Sequence, residues 1–125
     1  MIGRTYVEFE LKALYDGLIK LTSDNGSTFL VVLGAGYDNY CQIKDEQGTV
    51  RADINSGCLD ENQYIRFKLS WKCSDLIVER AAPGEAYSRW MTLHEWRTCC
   101  GPKNTGCPFK NITSSCILCA FATIP

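Results

Sequence analysis

The chain has one histidine in 125 residues. A Ser-His-Asp or Cys-His nucleophilic arrangement would have to pass through His94, which closes a predicted strand and reads as a surface or capping residue. Helical periodicity is missing from every window. Charge of one sign is missing as well: 13 basic residues face 14 acidic ones, for a net charge of −1. The lysines and arginines are scattered, which excludes a basic field for nucleic acid or an anionic membrane. Phe29 to Leu33 is wholly apolar but far too short to cross a bilayer, and reads as a strand buried on both faces. Met1-Ile-Gly-Arg4 has no apolar leader core, so the expectation is a mature or trimmed secreted chain.

Cysteine is abundant. Eight cysteines, an even number, suit disulfides in an oxidising compartment. The sequons Asn25-Gly-Ser27 and Asn111-Ile-Thr113 point the same way. Five of the eight cysteines fall in the last 27 residues: Cys99, Cys100, Cys107, Cys116 and Cys119. Cys99, Cys107, Cys116 and Cys119 could form a four-cysteine zinc site, but Cys99-Cys100 is a poor first knuckle and disulfides are favoured.

Polar–apolar alternation organises the rest. Strands are expected over Arg4–Lys12, Leu18–Thr22, Phe29–Leu33, Tyr40–Lys44, Thr49–Ile54, Gln63–Trp71, Leu76–Arg80 and Tyr87–Leu93. In Gln63–Trp71, Ile65, Phe67, Leu69 and Trp71 share one face. Asn25-Gly26, Gly34-Ala-Gly36 and Gly48 mark turns. The expected fold is all-β: one antiparallel β-sandwich over residues 1–125, with a cysteine-rich tail, 97–125, wrapping it. Gly101, Pro102, Gly106 and Pro108 leave no regular structure among the first tail cysteines, and Cys116 to Ile124 returns as a last strand.

Antiparallel connections alternate between the ends of a sandwich. One end should gather Tyr15-Asp16, Gly34 to Asn39, Asn55 to Asn62 and Ala81 to Tyr87. Its acids can offer calcium the hard oxygens it takes, with Asp38, Asp60, Glu61 and Glu85 as expected ligands. Asp16, Tyr37, Asn39 and Asn62 are the expected sugar contacts, an aromatic ring covering the apolar face of a sugar. Turns also favour Asp and Asn for backbone reasons alone, and no EF-hand spacing occurs. The adjacent acids Asp45-Glu46 and Asp60-Glu61 sit in no predicted cleft that would part their pKa values for glycoside hydrolysis.

Phe9-Glu-Leu-Lys-Ala13, Asp16-Gly-Leu-Ile-Lys-Leu21, Val31-Val-Leu-Gly-Ala-Gly36, Tyr64-Ile-Arg-Phe-Lys-Leu-Ser-Trp71 and Leu76-Ile-Val-Glu-Arg80 follow in the order of a small animal domain. Over roughly Tyr6 to Trp96 the chain resembles the farnesoic acid O-methyltransferase-like domain family, a β-sandwich module. The turn departs from that pattern, reading Ala35-Gly-Tyr-Asp-Asn-Tyr-Cys41. The family name implies methyl transfer, but Gly34-Ala-Gly36 precedes no helix and an all-β chain lacks the sheet such a cofactor needs. The expectation is therefore a secreted, non-catalytic, lectin-like module that binds glycans or glycoproteins with calcium. It is expected to be a homodimer, which raises avidity and could be held by a disulfide. A protein-interaction module with inert loop acids is the alternative, and a small-molecule methyltransferase the third reading.

Overall fold

The computed structural model describes residues 6–14, 17–23, 28–71, 75–94, 109–115 and 119–123; Ser23, His94 and the last two segments are described as backbone only. Ten strands run β1 Tyr6–Ala13, β2 Gly17–Ser23, β3 Thr28–Gly34, β4 Tyr40–Lys44, β5 Val50–Ile54, β6 Ile65–Trp71, β7 Asp75–Ala81, β8 Ser88–His94, β9 Phe109–Ser115 and β10 Cys119–Thr123. They form two five-stranded antiparallel sheets, β10-β1-β6-β7-β8 and β5-β4-β3-β2-β9. The fold is an all-β sandwich, as the alternation requires. Among the described residues no helix is long and apolar enough to cross a membrane.

The core follows from period two. Phe9, Leu11 and Ala13 of β1 and Ile65, Phe67, Leu69 and Trp71 of β6 point inward, and Phe9 stacks on its register partner Phe67 with ring centroids 5.5 Å apart. Ile19, Leu21, Phe29, Val31, Leu33, Cys41 and Ile43 meet them from the second sheet. β3 is buried on both faces only from Val31 onward; Leu30 is half-buried. The tail supplies an edge strand to each sheet: β10 pairs with β1 and β9 with β2. β10 was expected within Cys116–Ile124, whereas β9 was not expected. The tail cysteines' side chains lie outside the described residues, as does the Asn25 sequon; Asn111 is a backbone position in β9 opposite Thr22.

The outer face of the first sheet pairs its own charges. Glu8 stands opposite Lys68, Glu10 opposite Arg66, and Lys68 opposite Glu79. Lys68 covers the Tyr6 ring at 4.9 Å, Lys12 the Tyr64 ring at 5.1 Å and Arg66 the Tyr87 ring at 5.1 Å. The Tyr87 hydroxyl donates to Glu8 Oε2 at 3.0 Å. Desolvation, and then this bond to a carboxylate, push the Tyr87 phenol up to about 12. A folded-state value above the unfolded one stabilises the fold below the ordinary phenol value of about 10, and that contribution is lost as pH rises through about 12. Chemical denaturation of wild type and Tyr87→Phe should give a stability gap that is constant below about pH 10 and narrows above it; a gap independent of pH up to 12 would contradict the assignment.

Candidate functional site

Gly34 ends β3 and begins an unusual turn. Gly34 has φ 75° and Gly36 φ 64°, the left-handed values that the glycine spacing anticipated. Tyr37 and Asp38 continue in the same region with φ 62° and 63°. The Asn39 N–H donates to the Ala35 carbonyl at 2.9 Å, closing a single left-handed helical turn. Left-handed helix costs an L-residue roughly 1–2 kcal/mol, so Tyr37 and Asp38 stay there only because something holds them.

Asp38 is what holds it. Its Oδ1 accepts the N–H groups of Cys58 at 2.8 Å and Leu59 at 3.0 Å, 20 and 21 residues further along the chain. Gly57 lies so close that a Cβ there would come within 2.1 Å of the Asp38 carbonyl oxygen, so only glycine fits. Leu59 packs over Gly34, where a Cβ would come within 2.4 Å of its Cδ1. The 55–62 loop is fixed from the other sheet too. Arg80, inward-facing on β7, donates from Nε to the Cys58 carbonyl at 2.9 Å, and the Ala13 N–H at the end of β1 donates to the Asp60 carbonyl at 3.1 Å. Arg66 donates to the Glu85 carbonyl, tying the 82–87 turn to β6. Of the connections expected at one end, Gly34 to Asn39 and Asn55 to Asn62 meet there, and Tyr15-Asp16 lies outside the described residues.

This clamp presents Tyr37 to solvent, 75% exposed. The Tyr40 ring lies beside Gly36, where an added Cβ would come within 2.9 Å of it. Tyr40 also lines a shallow depression of about 340 Å³ with Gln42, Asp53, Ile54 and Asn55. Tyr40 and Gln42 alternate with the inward Cys41 and Ile43, so the strand period alone places them on the outer face. The depression offers a carboxylate, two amides and a ring, a set that can accept and donate to vicinal hydroxyls.

Asn39 is exposed, and its side-chain amide donates back to the Gly36 carbonyl. Asn62 is exposed, with its backbone N–H on Asp60 Oδ1 at 2.7 Å. Asp16 lies outside the described residues. Of the expected calcium ligands, Asp38 Oδ1 is spent on two amides. Asp60 Oδ2 accepts from the Gln63 side chain at 3.0 Å, and the Asn62 amide, then this bond, hold its carboxyl below the ordinary range. Glu61 and Glu85 are exposed. Among the described residues no three His, Cys, Asp or Glu side chains gather to hold a metal ion. Asp45 shapes its own turn, Oδ1 accepting the Gln47 and Thr49 N–H groups at 2.9 and 3.0 Å. Gly34-Ala-Gly36 leads into the left-handed turn and β4, not into a helix that could cradle a cofactor.

Comparison with protein-family models, with curated proteins and with solved structures finds no match to the chain.

Two substitutions separate clamp from tip. Asp38→Ala strands two amides and should cost about 2–3 kcal/mol in urea denaturation; a loss near zero would mean that the carboxylate holds nothing. Tyr37→Gly removes left-handed strain and should raise stability by about 0.5–1 kcal/mol, the gain being reduced by glycine's own entropy. A destabilised Tyr37→Gly would show that the contacts of the side chain outweigh the strain of its backbone.

Proposed function

We propose that this chain is an extracellular carbohydrate-binding module that takes its ligand at the Tyr37 end of the sandwich. The carrying observation is Tyr37 itself: a large ring, 75% exposed, on a residue held in a disfavoured conformation by contacts from both sheets. Strain of this kind persists where the surroundings over-determine it and marks sites where a side chain must be aimed. An exposed ring can cover the apolar face of a sugar, and the depression lined by Tyr40, Gln42, Asp53 and Asn55, which begins three residues further along the chain, offers partners for hydroxyls. Eight cysteines and two sequons support an oxidising, extracellular setting. A homodimer would double the sites and raise avidity on multivalent glycans.

Calcium is not needed for this chemistry, because the hydroxyl partners are amides and a carboxylate already on the surface. A protein-interaction module would use the same exposed tyrosine as an anchor, and the methyltransferase reading would require binding of a methyl donor. One experiment separates them: a glycan array on the purified protein with calcium, with chelator, and with Tyr37→Ala. The expected result is binding that survives chelator and falls about tenfold or more in Tyr37→Ala. Binding lost with chelator would restore a metal to the site. A blank array in wild type would overturn the sugar reading and leave protein ligands, and calorimetric binding of a methyl donor would replace it with the enzyme.

A further inference from the structure

Cys41 and Cys58 are 0% and 1% exposed, and their Sγ atoms are 2.8 Å apart. Both are thiols in this structure. The separation is well inside ordinary van der Waals contact, about 3.5–4.0 Å between heavy atoms, and near the roughly 2.0 Å of a bonded pair. Cys41 is the second residue of β4, just after the left-handed turn, and its Sγ also accepts the Gly34 N–H at 3.5 Å across the base of that turn. Cys58 is the residue whose N–H meets Asp38 and whose carbonyl meets Arg80. The two sulfurs therefore stand between the tip and the loop that holds it.

We propose that Cys41 and Cys58 close an intramolecular disulfide that clips the 34–41 turn to the 55–62 loop. The inference stands independently of the sugar reading. The oxidant is a disulfide donor of the glutathione class. The Cys41 thiolate attacks one donor sulfur, forming a mixed disulfide and releasing the first donor thiolate. Cys58 then loses its proton to solvent and attacks Cys41 Sγ, releasing the second donor thiolate. Two protein thiols are oxidised and one donor disulfide is reduced to two thiols. With both sulfurs buried, the exchange takes place before the 55–62 loop closes over them.

Once the loop has closed, the two sulfurs are coupled. The hydrogen bond to Cys41, and then burial, push the Cys58 thiol up, so Cys41 is the thiol that ionises first. The same bond draws Cys41 down to about 7 against the effect of its burial, helped by the Trp90 indole N–H, which makes no conventional hydrogen bond, and then by the Gly34 N–H. Pairing these two also leaves six cysteines, still an even number, for the rest of the chain.

The test is a peptide map of the full chain refolded in a reduced and oxidised glutathione mixture and digested without reductant. The expected product joins the Cys41 and Cys58 peptides, two hydrogens lighter than their sum. Alkylation of both cysteines in the denatured, unreduced chain overturns the proposal, and so does either one joined to a different cysteine. Cys41→Ser and Cys58→Ser should each lower Tm by about 10 °C, and the double variant no further, because one bond is lost in all three. Additive losses overturn it. In reduced wild type, the Asn39, Cys58 and Leu59 amides should exchange hydrogen faster than in the oxidised chain; unchanged exchange overturns the clip.

Discussion

Cys58 is held by every polar group it has. Its N–H goes to Asp38 on the second sheet's turn, its carbonyl to Arg80 on the first sheet, and its Sγ lies against Cys41. A connection crossing between sheets carries backbone groups that cannot all reach strand partners, and a buried one left unmet is costly. Here a carboxylate and a guanidinium meet them. Both are ionised acceptor or donor groups, which makes these bonds stronger than neutral ones. Arg80 also stacks over Trp90 at 5.4 Å, so its charge is partnered although it points inward. The left-handed turn depends on this arrangement, since Asp38 reaches the loop amides from within it.

Much of the fold was legible because side chains alternate at period two. Ile65, Phe67, Leu69 and Trp71 needed no partner strand to be read as one buried face. β9 was not legible for the opposite reason. Phe109-Lys-Asn-Ile-Thr-Ser-Ser115 is mostly polar and follows Gly101-Pro102 and Gly106-Cys-Pro108; it becomes a strand by pairing with β2 at the sheet edge. Local pattern carries little information about such edge pairing.

The candidate site divides in the same way. Glycines at 34 and 36 announced a left-handed turn, because positive φ is what glycine permits. Nothing local announced that Tyr37 and Asp38 would share it, for their conformation is imposed by Cys58 and Leu59, some 20 residues away. That same contact changes the meaning of Asp38. In the sequence it is one more loop acid suited to a metal, whereas in the fold its inner oxygen is a structural acceptor. Tyr40 and Gln42 were readable as outward residues of β4, but the depression they share with Asp53 and Asn55 exists only once β5 is paired beside them.

The surfaces of the sandwich are not equal as places to bind. On the first sheet's outer face, cations sit on tyrosines and opposite acids, so a ligand there would have to displace partners already made. At the Tyr37 end Asp38 bonds to the backbone beneath, and the Tyr37 ring is 75% exposed. Ordering a loop on binding subtracts from affinity, and a loop ordered during folding avoids that subtraction. Holding two L-residues left-handed makes sense in those terms. On the proposed reading the strain is carried in the free protein, the Tyr37 backbone is set during folding, and the cost falls on fold stability rather than on recognition.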